Sequence, residues 1–241
     1  MTAGSQPSVC CVVPCYNVAP VCRRVVRDAA RHADRVIAVN DGSTDGTDAE
    51  LRGAARECKN VSVLRFPQNR GKGVALLAAF RHALEILPFD LLVTLDGDGQ
   101  HRPEDIPRLV SATTAAGAEI VIGQRQEPAI MPWRSRVGNQ LTTALLRWSY
   151  PEAPADTQSG MRALDRNFVA EIVRRIPGRR YETELQILLL ALEQRRCIAT
   201  VPIPTIYFQN NRLSHFRPIL DSWRIYQALL RWQFSAPRLA R

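Results

Sequence analysis

The sequence predicts an α/β protein with a mostly parallel central sheet flanked by helices, and three observations carry that reading. Apolar runs of strand length alternate with longer helical stretches from Val9 to Leu95. The runs are apolar at nearly every position, as strands covered on both faces by helices are. Each run ends in polar, glycine or proline residues, so these ends gather on the edge where open α/β sheets bind ligands.

Val9–Val13 is the first strand, closed by Pro14-Cys15-Tyr16-Asn17, and a helix follows from about Pro20 to His32. Arg35–Asn40 is the second strand, ending in Asp41-Gly42-Ser43-Thr44-Asp45-Gly46-Thr47. Thr44 or Asp45 can cap the helix that runs on through Leu51 to Cys58. Val61–Phe66 is the third strand, and Asn69-Arg70-Gly71-Lys72-Gly73 opens a long helix through Leu87. Leu91–Leu95 is the fourth, and it delivers Asp96-Gly97-Asp98-Gly99-Gln100-His101. Glu119–Gly123 is the fifth, and the alternation implies right-handed β-α-β units. Residues 124–215 mix short helices with loops rich in arginine and proline, without a domain boundary.

The 241 residues fit one large domain that needs no disulfide staples. The net charge is +9, carried almost wholly by arginine, since Lys59 and Lys72 are the only lysines. An anionic ligand, a nucleic acid or an acidic membrane surface are all admissible partners for such a charge. Cys10, Cys11, Cys15, Cys22, Cys58 and Cys197 form no C-x-x-C pair, and most lie in apolar runs. Reduced thiols in a cytoplasmic protein are expected, and no zinc site. Neither a signal peptide nor a transmembrane helix is expected.

Two carboxylates separated by one glycine resist joint ionisation unless a cation sits between them, and oxygen ligands suit Mg²⁺ or Mn²⁺. D-G-D-G is equally ordinary turn chemistry. Asp41 can accept from a base N–H or from ribose hydroxyls, and Tyr16 can stack on a base; a tight turn leading into a helix cap explains Asp41-Gly42-Ser43 as well. Arg70 and Lys72 oppose the dipole at a helix N-terminus, a conflict that a bound anion would remove. No G-x-G-x-x-G follows the first strand, and Gly71-Lys72-Gly73 lacks the Walker serine or threonine, so neither dinucleotide chemistry nor ATP hydrolysis is supported.

Val12-Val13-Pro14-Cys15-Tyr16-Asn17, the Asn40–Thr47 segment, Asn69–Gly73 and Asp96–His101 together resemble the family 2 inverting glycosyltransferases of GT-A fold. Within that family, Asp96-x-Asp98-x-Gln100 followed by His101-Arg102-Pro103 is similar to the polyprenyl-phosphate sugar synthases, such as the dolichol-phosphate mannose or glucose synthases. The resemblance implies a UDP- or GDP-hexose donor, a polyprenyl-phosphate acceptor and Mg²⁺ or Mn²⁺ as cofactor. By position it places Pro14, Tyr16, Asn17, Asp41, Ser43, Lys72 and Asp96 at the nucleotide, and Asp96, Asp98 and Gln100 at the metal. It implies one domain over residues 1–215, with a donor half at about 8–123 and an acceptor half at about 124–215.

Asp156-Thr157-Gln158-Ser159-Gly160-Met161-Arg162 is similar to the family's D-x-x-S-G-F-R segment, with Met161 in place of the aromatic. Arg125, Arg134 and Arg136 would bind the acceptor phosphate. Asp98, through the metal, and Arg212 and His215, in a loop that closes over the donor, would stabilise the departing diphosphate. A hydroxyl acceptor needs a general base, for which Asp156, Glu182 and Glu184 are the candidates. A lipid phosphate is already an anion and needs none. Glu182 and Glu184 also suit acceptor contacts, or simply complement the dipole of the helix that runs through Leu192.

Phe216, Ile219, Leu220, Trp223, Tyr226, Leu230 and Phe234 follow the spacing of an amphipathic helix about 28 Å long. Arg217, Arg224, Arg231 and Arg238 run beside that face, within the separate C-terminal segment 216–241. Such a helix can pack on its own domain or lie on an anionic bilayer, which would place the protein peripherally on the inner face of the membrane. A glycan, glycolipid or small-molecule hydroxyl is the alternative acceptor. A nucleic-acid-binding module is the reading from another class, but its aromatic platforms are sparse, and no nucleic-acid partner is expected.

Overall fold

The computed structural model of the chain describes residues 6–125, 146–178 and 182–204. In chain order the elements are β1 (Val9–Cys15), α1 (Ala19–Ala29), β2 (Arg35–Asp41), α2 (Thr47–Glu57), β3 (Val61–Phe66), α3 (Lys72–Ile86) and β4 (Leu91–Thr94). A short 3-10 turn at Pro103–Asp105 leads into α4 (Ile106–Ala116), followed by β5 (Ile120–Arg125). Then come β6 (Arg162–Asp165), α5 (Arg166–Arg175), α6 (Glu182–Glu193) and β7 (Ile198–Ile203).

The strands form one seven-stranded sheet in the order β3-β2-β1-β4-β6-β5-β7. β1 pairs in parallel with β2 and β4, β2 with β3, and β5 with β7. Only β6 runs antiparallel to its neighbours, β4 and β5. Successive strand residues face opposite sides and feed two cores. Cys10, Val12, Ile37, Val39 and Leu92 pack with α3, α5 and α6, while Cys11, Val13, Val36, Ala38 and Val93 pack with α1, α2 and α4.

The first half matches the expected alternation, and α4 adds a helix between the fourth and fifth strands. Corrections concern ends and the second half. The N-cap position of α2 is Gly46; Asp45 accepts from the Thr47 N–H at 2.9 Å and from the Ala19 N–H of α1 at 3.1 Å, so one carboxylate serves two helix starts. The stretch expected to hold only short helices and loops contains two strands. β6 is four residues long and opens on a buried arginine, which hides its strand character. β7 carries Pro202, tolerable because β7 is an edge strand. No helix among the described residues is long and apolar enough to cross a membrane. The proposed C-terminal helix lies outside the described residues.

Candidate functional site

The carboxyl ends of β1, β2 and β4 lie side by side and carry Pro14 to Asn17, Asp41 to Ser43, and Asp96 to Gln100. Asn17, in the left-handed region at φ 51°, accepts from the Thr44 N–H at 2.8 Å, and its own N–H donates to Ser43 Oγ at 3.0 Å. Asn17 and Ser43 thereby lock the first two loops together. Pro14 and Tyr16 are half-buried beside them.

Asp41 is buried and accepts from the Arg70 N–H at 2.7 Å, the Gly71 N–H at 2.9 Å and Asn69 Nδ2 at 3.1 Å. The negative charge expected from a bound anion ahead of α3 is thus supplied by the protein itself. Gly42 is required by the same junction, because at φ 65° an added Cβ would lie 2.1 Å from the Gln68 carbonyl carbon. The Arg70 guanidinium lies over the Phe66 ring, 5.3 Å from its centre.

Lys72 is the cation at the centre of the site. Its Nζ lies 2.5 Å from Asp96 Oδ1 and 2.9 Å from Glu184 Oε1, so α3, the end of β4 and the first turn of α6 meet at one ammonium. Burial opposes that charge, but the two carboxylates overcome the penalty and raise the lysine above its ordinary value. Asp96 is in turn held below the usual carboxylate range: burial works against its charge, and Lys72 outweighs it. His101 is buried with Nε2 3.7 Å from Asp96 Oδ2. Burial pushes its imidazole down to about 4, so it is neutral, and among the described residues Nδ1 has no hydrogen-bond partner.

The oxygen set fits a hard divalent cation. Burial, and then the neighbouring Asp96 charge, push the Asp98 carboxyl up to about 6. Asp98 Oδ1 accepts from the Gln100 N–H at 3.0 Å, which tightens the D-G-D-G-Q turn. Among the described residues no group of three or more His, Cys, Asp or Glu could hold a metal ion. Asp96, Asp98 and Gln100 would therefore need further oxygens from water or a ligand.

The Asp156–Arg162 loop closes over this corner. Thr94 Oγ1 donates to the Gly160 carbonyl at 2.7 Å, and a Cβ on Gly160 would lie 2.4 Å from Asp96 Oδ2. Glycine at that position makes room for the carboxylate. Arg162 is buried and donates to Ser159 O at 2.9 Å, Glu184 O at 2.6 Å and Thr157 O at 3.1 Å. It ties the loop to α6. Arg125 grips Asp156 through Nε at 2.7 Å and Nη2 at 2.9 Å. Burial alone would raise the Asp156 carboxyl, but those bonds hold it below its usual value. Glu182 is buried, and among the described residues its Oε2 has no partner.

The structure thus brings Lys72, Asp96 and Glu184 into direct contact, with His101 beside Asp96, and pairs Arg125 with Asp156. Arg134, Arg136, Arg212 and His215 lie outside the described residues. Sequence reasoning quoted Gly160, Arg162 and His101 within motifs but gave them no individual role. The approach of Gly160 to Asp96 and the burial of Arg162 and His101 arise only in the folded chain, so no local signal marks those roles.

A family model described as "Glycosyl transferase family 2" matches residues 10–172. A UDP-N-acetylglucosamine–dolichyl-phosphate N-acetylglucosaminyltransferase of Methanococcus voltae is 30% identical over 91% of this chain and 93% of its own length. A polyprenol monophosphomannose synthase of Mycolicibacterium smegmatis is 31% identical over 70% of this chain and 65% of its own. Among solved structures, glucosyl-3-phosphoglycerate synthase of Mycobacterium tuberculosis, crystallised with Mg²⁺ and UDP, superposes with a TM-score of 0.72 at 20% identity. That match covers 96% of this chain and 81% of the other, and the shared fold is GT-A.

Proposed function

Since the chain belongs to glycosyl transferase family 2, and is a glycosyltransferase, we propose that it moves a hexose from a UDP- or GDP-sugar to a polyprenyl phosphate, with inversion at the sugar C1. The observation that carries this reading is the buried corner where Lys72, Asp96 and Glu184 meet beside Asp98, at the carboxyl edge of the sheet. Pro14, Tyr16, Asn17, Asp41, Ser43 and Lys72 would frame the nucleotide. Asn17, Ser43 and Asp41 do so by fixing the loops that face it.

Asp96, Asp98 and Gln100 would hold Mg²⁺ or Mn²⁺, which when bound stabilises the charge on the departing diphosphate. Arg125, Arg134 and Arg136 would orient the acceptor phosphate, and Arg212 and His215 would close over the donor. An acceptor phosphate oxygen forms the new bond to C1 while the bond from C1 to the diphosphate oxygen breaks, and the electron pair leaves with the nucleoside diphosphate. No proton has to be removed, because the phosphate is already an anion at neutral pH. That suits Asp156, a weak proton acceptor while Arg125 binds both its oxygens. Peripheral membrane contact is part of the proposal, supported by Trp148, which is 81% exposed on a helical turn at 146–149.

A hydroxyl acceptor is the second reading, favoured by Glu182 Oε2, a buried carboxylate oxygen that has no partner among the described residues and would serve as a base. Thermal denaturation with UDP-, GDP- and CDP-sugars, each with and without Mn²⁺, tests the donor side. Metal-dependent stabilisation by a UDP- or GDP-sugar is expected, and stabilisation by none of them would refute the proposal. On the acceptor side, loss of turnover in Arg134→Ala or Arg136→Ala supports the lipid phosphate, whereas selective loss in Glu182→Gln supports the hydroxyl.

A further inference from the structure

Lys72 is held from two directions that belong to different halves of the chain. Asp96 reaches it from the turn after β4 at 2.5 Å, and Glu184 reaches it from α6 at 2.9 Å. The side chains of Lys72, Asp96 and Glu184 are 17%, 23% and 8% exposed, so salt and water screen these contacts weakly. An ammonium has three N–H donors in fixed directions, and two carboxylates fix where the third points. Among the described residues that third donor has no partner.

The anchor from α6 is itself braced. The Glu184 carbonyl accepts from Arg162 at 2.6 Å, Arg162 also holds Thr157 and Ser159, and the next residue, Gly160, packs on Asp96. Asp96, Lys72, Glu184, Arg162 and the 157–160 loop therefore close a ring around the corner. Of the two anchors, only Asp96 also belongs to the oxygen set for a cation.

We infer that Glu184 is a positioning residue for the donor, acting through Lys72, rather than an acceptor contact. The inference rests on the nucleotide-sugar reading of the site. Glu184, at 2.9 Å, shares with Asp96, at 2.5 Å, a single ammonium, so one cation stands against two carboxylates and the corner keeps negative charge that attracts a divalent cation. It also aims the free N–H at the nucleotide. Without the Glu184 charge, Lys72 pairs with Asp96 alone and neutralises it.

The test is calorimetric titration of the full chain with UDP and with GDP, each in Mn²⁺, for wild type, Glu184→Gln, Glu184→Asp, Lys72→Met and the Glu184→Gln/Lys72→Met double variant. Glu184→Gln should weaken nucleotide binding about tenfold, the size of one buried charge-assisted hydrogen bond. Glu184→Asp should recover part of the loss, and the acceptor KM should stay within about twofold. In the Lys72→Met background Glu184→Gln should have no further effect on nucleotide binding. Wild-type nucleotide affinity in Glu184→Gln, an undiminished effect without Lys72, or a loss confined to the acceptor KM would overturn the inference while leaving the glycosyltransferase reading intact. Failure of wild type to bind either nucleotide refutes both. Should Glu184→Gln not fold, Glu184→Asp decides: weaker nucleotide binding with unchanged acceptor KM supports the inference, and the reverse pattern overturns it.

Discussion

Replacing Gly160 with alanine puts one methyl group against the most constrained carboxylate in the site. The added Cβ would lie 2.4 Å from Asp96 Oδ2 and 2.8 Å from both Cγ and Oδ1, where ordinary contact begins at 3.4 Å. One side has to yield by about 1 Å. The Gly160 backbone is pinned, because its carbonyl accepts from Thr94 Oγ1 at 2.7 Å and its neighbours Ser159 and Met161 are fully buried. Asp96 is therefore the group that moves. A shift of about 1 Å stretches its contact with Lys72 beyond hydrogen-bond range. Overpacking costs roughly 1–3 kcal/mol, and the lost charge-assisted bond adds to it, so a destabilisation of about 2–4 kcal/mol is expected. For a chain of this length that lowers Tm by about 5–15 °C, together with a loss of nucleotide affinity. Gly46→Ala is the control, since its Cβ would meet Ala19 Cβ at an ordinary 3.5 Å. Scanning calorimetry and nucleotide titration of both variants make the comparison. Equal Tm values and equal nucleotide affinities for Gly160→Ala and Gly46→Ala would refute this packing argument.

Three further outcomes are expected. Asp41→Ala strips partners from the Arg70 and Gly71 amides and from Asn69, so a loss of about 3 kcal/mol should come with fast hydrogen exchange at those two amides; wild-type protection there would contradict the assignment. Asp156 has a folded-state value below its ordinary 3.8, so its ion pair stabilises the fold above that pH, and the contribution fades as pH falls through the lower folded value. The stability gap between wild type and Asp156→Asn in urea should thus be constant from about pH 7 to pH 5 and close below about pH 4; a gap that widens on acidification would reverse the sign. Of the six cysteines Cys197 is exposed, whereas burial lifts the Cys10 and Cys22 thiols to about 12. One thiol should react quickly with a disulfide reagent in the native protein, and Cys197→Ser should remove it.

The donor half was legible because its signals are local. Apolar runs, the glycines after them and the acids at their ends sit within a few residues of each other, and β1 to β5 follow in order. Lys72 was conspicuous as a cation at a helix N-terminus, but its two partners could not be read. Asp96 and Glu184 come from distant parts of the chain, and only the folded sheet brings α6 against α3. Asp41 illustrates the converse. Its type and spacing suited a ligand contact, yet three of its hydrogen bonds are spent on the loop ahead of α3. β6 and β7 escaped notice because a buried arginine opens the one and Pro202 interrupts the other, and only their neighbours in the sheet make those residues acceptable.

Incubating the full chain and Mn²⁺ with labelled UDP- and GDP-hexoses, a polyprenyl phosphate and, in parallel, hydroxyl acceptors measures the proposed reaction itself. Label should pass into an acid-labile lipid fraction with polyprenyl phosphate, depend on the added metal, and vanish in Asp98→Ala. Label transferred only to hydroxyl acceptors would contradict the proposed acceptor, and no transfer from any UDP- or GDP-hexose to either acceptor class would contradict the proposed reaction.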